Sequence, residues 1–365
     1  MNYVEKNAAE RNIPDVLKFT SSTPVKTVEE FEARREEIKI LLQEHEYGYI
    51  PKKPDHVDVE EVGCDRFFCA GKAPLQKLEI TVTIGENKFS FPVMAAIPKK
   101  EGKHPAFIHI NFRPDVPDKY MPAEEIIDRG YAIFSFCYED VTEDNGSFKS
   151  GVAKYLVPSR KKRNASGKIA LWAWAAMRVM DYVQTLDDID KDNIAVIGHS
   201  TLGKAALLAG AFDDRFKYVV SNSSGCSGAA VLREKAGENL YMIVGAHPEW
   251  FCPRYSDYIV RESALPLDQH FLLALSAPRH ILIGSAYEDT SSDPESEFIA
   301  AHLSGEVYEK IYGIPGLIHE NKIPEPKTVL DRGNVCYHVR NGMSYLSRED
   351  WNVYMDYIDK CKETK

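Results

Sequence analysis

From Pro105 onward the chain alternates short, wholly apolar runs with longer helical ones: AFIHI, YAIFSF, IALWAWAAMRVMDYVQTL, IAVIG, YVVSN and RHILIGSA. A strand that is apolar at every position has no polar face to give to water, so both of its faces must be covered. Strands of this kind separated by amphipathic helices build a mostly parallel central sheet with helices on both faces, an α/β fold. With 365 residues, 44% of them hydrophobic and 27% charged, the chain is long enough to bury one large core of that type. No internal repeat or low-complexity linker interrupts the pattern.

Ahead of this region, TVEEFEARREEIKILLQEHEYGYIP carries a capping box at Thr27 and Glu30, apolar positions at Phe31, Ile38, Leu41 and Leu42, and stop signals at Gly48 and Pro51. That pattern predicts an amphipathic helix packed on something else. LEITVTI and FSFPVMAAIP, separated by Gly85-Glu86-Asn87-Lys88, predict an antiparallel hairpin at the edge of the sheet. We therefore divide the chain into a helical and extended segment, residues 1–75, packed on a main domain, residues 76–365. The Pro- and Asp-rich NFRPDVPDKYMP, the basic PSRKKRNASGK and ENKIPEPKTVLDRGN read as loops, the basic one as a solvated surface.

A formal net charge of −10 argues against nucleic acid or an anionic membrane as a partner. The opening MNYVEKNAAERNIPDVLKF lacks the basic-then-apolar pattern of a signal peptide, and no stretch of about 18 apolar residues could span a bilayer. The expected location is cytoplasmic. Seven scattered cysteines without a C-x-x-C pair suggest mostly reduced core thiols, with no metal site and no cofactor implied. Nothing in the sequence sets the oligomeric state.

NIAVIGHSTLGKAALLAG, Asn193 to Gly210, reads as a buried strand, a tight turn and a helix. Gly198 to Lys204 satisfies G-x-x-x-x-G-K, which is a phosphate-loop pattern, yet Ala205 stands where that loop needs a hydroxyl for Mg²⁺. The same turn places Ser200 where a hydrolase carries its nucleophile, between a strand and the N-terminus of a helix that can face a developing oxyanion. The spacing is G-x-S-x-x-G, with Leu202 at the position usually held by the second glycine. A structural turn with Ser200 as helix cap is the competing local reading.

Taken together, WAWAAMRVMDYVQTLDDIDKDNIAVIGHSTLGKAALLAGAFDDRF, SNSSGCSGAA, HPEWFCPRY, LPLDQHFLLALSAPRHILIGS, DPESEF and CYHVRNGMSYLSREDW resemble the glucuronoyl esterases among the carbohydrate esterases and their bacterial relatives. The resemblance runs from about Pro105 to Lys360, and YGYIP also suits it. It implies an α/β-hydrolase fold and a serine mechanism on carboxylic esters of glucuronic acid, with a small-molecule or oligosaccharide ester as partner. By that likeness Ser200 is the nucleophile, Lys204 falls on a lysine that contacts sugar hydroxyls, and Trp250 resembles a tryptophan lining the sugar pocket.

The same likeness marks departures. Thr201 occupies the place of an arginine that helps hold the oxyanion, a donor worth on the order of 10²–10³ in rate. RNGMSYL puts Ser344 at the position of the general-base histidine, and a hydroxyl cannot take the nucleophile's proton and return it to the leaving alcohol. Of the two places where the family carries the third, acidic member, one reads Ser223 and the other keeps Asp293, while Ser291 stands where a tryptophan is expected. Among the other histidines, His338 suits a structural or pocket role, His199 faces away from the turn's exposed position, His270 suits a hydrogen-bonded core site, and His319 remains an outside candidate for the base. The expectation is a carbohydrate-esterase-like serine hydrolase with impaired turnover. Two alternatives are a non-catalytic binder of a uronic acid and, last, phosphate-loop nucleotide binding.

Overall fold

The computed structural model of the chain describes residues 3–319 and 322–363. Ten strands form one sheet: β1 (His56–Asp65), β2 (Leu75–Ile84), β3 (Asn87–Ala96), β4 (His104–Asn111), β5 (Ala132–Cys137), β6 (Ile189–His199), β7 (Tyr218–Asn222), β8 (His280–Ala286), β9 (Thr328–Leu330) and β10 (Val335–Arg340). Their spatial order is β1-β2-β3-β5-β4-β6-β7-β8-β10-β9. From β5 to β10 the neighbours are parallel, and β1, β2 and β3 attach at one side as antiparallel strands. The helices are α1 (Tyr3–Glu10), α2 (Val28–His45), α3 (Ala123–Asp128), α4 (Tyr138–Val141), α5 (Ala153–Leu156), α6 (Lys168–Val183), α7 (Thr201–Phe212), α8 (Leu240–Ala246), α9 (Gln269–Ala274), α10 (Pro294–Lys310) and α11 (Arg348–Glu363). None among the described residues is long and apolar enough to cross a membrane.

The apolar runs became the central strands because each is buried on both sides. Every residue of β4, β5, β7 and β10 is buried. Alternate residues divide between two cores, as a period of two requires. Ile194 and Val196 of β6 join α2, α6, α7, α9 and α10 on one face, while Ala195 and Ile197 join Ile126 of α3 and Trp351 and Met355 of α11 on the other. Helix α6 lies deep in the first core, with Trp172 and Trp174 fully buried.

Helix α2 opens on the expected capping box: Glu30 N–H donates to Thr27 Oγ1 at 3.2 Å and Thr27 N–H donates to the Glu30 carboxylate at 3.1 Å. Besides Phe31, Ile38 and Leu42 it buries two arginines. Arg35 donates to the Ala277 carbonyl at 2.5 Å and pairs with Asp214 at 3.1 Å, which ties the helix to the sheet layer. The hairpin β2–β3 forms, but it is not at the edge: β1 pairs along β2 and takes that place. Strand β1 escapes a hydropathy reading because HVDVEEVGCD is charged and almost wholly exposed, a composition that discourages further pairing at a sheet edge. The hairpin turn is also shorter than expected, since Asn87 and Lys88 already pair with Ile84 and Thr83.

Helix α7 approaches the sheet so closely that two glycines are obligatory. A Cβ on Gly198 would lie 2.0 Å from the Leu202 carbonyl oxygen, and one on Gly203 would lie 2.9 Å from Ser221 Oγ and 3.0 Å from Ser224 Cβ. This explains the displaced spacing of the motif: the helix residue that faces β7 is Gly203, not Leu202. Gly198→Ala is expected to lower stability by about 3 kcal/mol, read as a fall in the urea midpoint with an unchanged slope.

Candidate active site

The parallel strands all finish at one edge of the sheet, and Ser200 follows the last residue of β6 there. Its backbone adopts φ 53° and ψ −125°, a conformation that costs a non-glycine residue about 1–3 kcal/mol and is held only where the surroundings impose it. The clamp is visible. Ser200 N–H donates to the Asn222 carbonyl at 2.8 Å, and the amides of Gly203 and Lys204 return to the Ser200 carbonyl at 2.9 and 3.3 Å. Ser200 is half-buried and stands where the first amides of α7 face outward with the positive end of the helix dipole. Thr201 opens that helix and is buried, so no long donor reaches over Ser200 from this position.

Lys204 points inward. Its fully buried ammonium donates to the Ser224 carbonyl at 2.5 Å, and burial lowers its pKa. This side chain props the segment after β7 rather than facing a phosphate, which removes the nucleotide-binding reading.

His199 also turns away from Ser200. Its Nδ1 lies 2.7 Å from Asn222 Oδ1, its ring packs beside Phe112 and Tyr120, and burial depresses its pKa. It belongs to a polar row crossing the sheet, for His199, Asn222, Gly284 and His338 are successive register partners on β6, β7, β8 and β10. Asn222 Nδ2 donates to Tyr354 Oη at 3.0 Å. Gly284 makes room for the row, because a Cβ there would lie 2.1 Å from Tyr354 Oη and 2.6 Å from His338 Cε1.

His338 is 2% exposed and its Nε2 lies 2.8 Å from Asp350 Oδ1, so it serves α11 from within the sheet instead of lining an open pocket. Asp350 accepts in addition from Arg340 Nε at 2.9 Å and from the Ser347 amide and hydroxyl, each at 2.7 Å. Burial alone would raise this carboxyl; the hydrogen bond and charge of His338, with the Arg340 charge, bring it down to about 2. The Arg340 guanidinium then donates to the carbonyls of Asn341, Met343 and Tyr345 at 2.8, 2.9 and 2.5 Å. These bonds shape the loop that presents Ser344, which is exposed. The loop is pinned further by Gly342 N–H on the Glu288 carboxylate at 3.2 Å and by Tyr345 Oη on the Lys119 carbonyl at 2.5 Å.

The two positions expected for the acid, Ser223 and Asp293, are both held within the fold. Ser223 follows β7 with φ 45° and a buried hydroxyl that has no partner among the described residues. Beneath it, Glu297 of α10 accepts from Gly225 N–H at 2.9 Å and Ser285 Oγ at 2.5 Å, and full burial pushes its carboxyl up to about 7. Asp293 caps α10, accepting from Ala236 N–H at 2.8 Å and Ser296 Oγ at 2.6 Å. Both of its oxygens are engaged with Ser296 or Ala236. Ser291 is exposed, and its carbonyl accepts from Glu238 N–H at 3.0 Å and Lys235 Nζ at 3.1 Å. The sequence reading passed over Asp289, a buried carboxylate three residues beyond β8 that holds Ser292 through its hydroxyl at 2.7 Å; its place after a parallel strand was the available signal.

Trp250 lies flat on His247, centroids 3.8 Å apart, and its Nε1 donates to Asp144 Oδ1 at 2.7 Å. Donor atoms of Asp144, His247 and Glu249 lie within 4.8 Å of one another, close enough to hold a metal ion. The Lys168 ammonium already supplies positive charge beside the two carboxylates. Of the remaining histidines, His270 donates from Nε2–H to the Pro14 carbonyl at 2.9 Å in the core. His319 contacts His302 of α10 at 2.6 Å and packs on Phe298.

Residues 80–312 match the family model described as glucuronyl esterase, fungi. The chain belongs to the glucuronoyl esterase family. Carbohydrate esterase MZ0003, from an unknown prokaryotic organism, is 31% identical over 98% of this chain and 91% of its own length. The glucuronoyl esterase from Solibacter usitatus has a TM-score of 0.88 at 28% identity, covering 95% of this chain and 97% of that one. A 4-O-methyl-glucuronoyl methylesterase of Neurospora crassa is 29% identical, over 84% of this chain and 74% of its own length. The family's α/β-hydrolase fold and carbohydrate esterase function thus agree with the resemblance read from the motifs.

Two pH dependences follow, of opposite sign. Asp350, depressed in the fold, stabilises it above its unfolded pKa and loses that contribution as pH falls toward 2. Asp350→Asn is therefore expected to cost on the order of 2 kcal/mol at pH 7, with the gap to the parent chain closing in urea melts below about pH 3. Glu297, raised in the fold, leaves stability intact below its unfolded pKa, and that contribution is lost progressively as pH rises from there through about 7. Glu297→Gln is expected to gain stability relative to the parent between pH 5 and about 8, measured the same way.

Proposed function

We propose that the chain receives a carboxylic ester of a uronic acid at Ser200 and turns it over slowly, because position 344 holds no base. The observation that carries this reading is the strained turn at Ser200, standing at the family's nucleophile position while an ordered loop offers a serine hydroxyl at the family's base position. In the reaction, Ser200 Oγ attacks the ester carbonyl, its proton leaves for a base, and the alcohol departs with a proton from the same base; water then releases the acid. Helix α7 can still stabilise the oxyanion through its first amides. What is missing is the proton carrier, worth about 10²–10⁴ in rate, and the Thr201 site supplies no second oxyanion donor.

A binding role without turnover has its own support in Asp293: with its oxygens committed to the α10 cap and the Ala236 amide, it is not available to orient a histidine. In both readings Trp250, with His247 and Asp144 around it, forms a wall of the sugar site.

The test compares the parent chain with the Thr201→Arg, Ser344→His double variant, using a methyl glucuronate ester and a fluorophosphonate that labels activated serines. The double variant is expected to hydrolyse and label at least about 10²-fold faster, while Ser200→Ala in that background removes both signals. Ordinary esterase rates in the parent would refute the impairment. Binding of the ester by both chains with no gain in turnover would favour the binding role.

A further inference from the structure

We propose that the groove beside the basic loop, lined by Tyr49, Leu156, Pro158, Lys161, Lys162 and Asn164, is an extension subsite for a carbohydrate chain bearing free carboxylates. This deepens the uronic-ester reading and rests on it for the chemistry of the chain's neighbours. Residues 157–167 lead into the N-terminus of α6, and α6 runs back to the start of β6. The groove therefore lies at the same end of the sheet as Ser200. It also adjoins the Trp250 wall, for Arg160 donates to the Phe251 carbonyl and a Cβ on Gly167 would lie 2.1 Å from the Trp250 carbonyl oxygen.

The local charge opposes that of the whole molecule. Arg160 to Arg163 are four consecutive cations in a chain of net charge −10. The acidic groups that face them are already taken: Asp257 pairs with Arg163, and Glu44 accepts from Tyr49 Oη, Asn164 Nδ2 and Arg254 at 2.7, 2.8 and 3.2 Å. Lys161 and Lys162 are exposed and make no ion pair among the described residues. Two unpaired ammonium groups beside a 44% exposed tyrosine ring combine what an acidic sugar presents, a carboxylate and an apolar ring face. The groove encloses about 760 Å³, within the range of small-ligand sites. A neutral glycan would leave the lysines without counter-charge, and a phosphate backbone would meet the strongly negative remainder of the surface.

Native gel electrophoresis through polygalacturonate, soluble arabinoxylan or poly-L-glutamate tests this without any ester being cleaved, so its outcome is separate from that of the hydrolysis assay. Polygalacturonate is expected to retard the parent chain most strongly, and less so as salt rises. Lys161→Glu with Lys162→Glu should weaken that retardation at least about threefold at an unchanged Tm, as should Tyr49→Ala. The proposal is overturned if the parent runs freely in polygalacturonate, if the double variant is retarded equally, or if arabinoxylan or poly-L-glutamate retards the parent as strongly.

Discussion

The close crossing of β6 and α7 is the constraint on which the rest of the site depends. At Gly198 and Gly203 the helix backbone and the neighbouring strand leave no room for a single methyl group, and that contact forces the turn between them into a conformation a serine would not choose. The two features are one device, since the strain at Ser200 persists only because strand and helix are packed too tightly to relax. Six parallel strands ending at one edge then bring the segments after β4, β5, β7, β8 and β10 around this point.

Beneath that edge the protein spends its polarity on rigidity. The row His199, Asn222, Gly284 and His338 crosses four strands, and Asp350 joins it to Arg340 and so to the loop of Ser344. Buried networks of this kind stabilise when their members are satisfied and are costly when one is removed. On the other side of the sheet, Glu297 and Lys204 perform a similar service for the segment after β7. On the proposed reading the groups that would act on an ester differ at Thr201, Ser223 and Ser344, whereas Lys204, Asp350 and Arg340 hold the surrounding loops in place. On that reading, the shape of the site and the transfer of a proton depend on different residues.

Much of the fold was legible in the sequence. Apolar runs such as AFIHI and YVVSN can only be strands covered twice, and the capping box at Thr27 marks a helix start by hydrogen bonding that involves neighbours in sequence. The elbow at Ser200 was legible for the same reason, as strand, turn and helix are contiguous. Strand β1 was not, because its stability comes from pairing with β2 and its side chains are those of a solvated edge. Asp289, Arg340 and Asp350 were missed as parts of the site, since a charged residue near the end of a strand or in a helix looks like surface until its partners are known.

What the sequence by itself determined is therefore local and periodic: the doubly covered strands, the caps and the turn at Ser200. The tertiary structure alone decided which of those residues face one another. It turned Lys204 into the interior, bound His338 to Asp350, committed Asp293 to a helix cap and gathered Asp144, His247 and Trp250 from distant segments. Hydrogen bonds and burial act over a few ångströms in space, and no spacing along the chain records which distant groups will come within that reach.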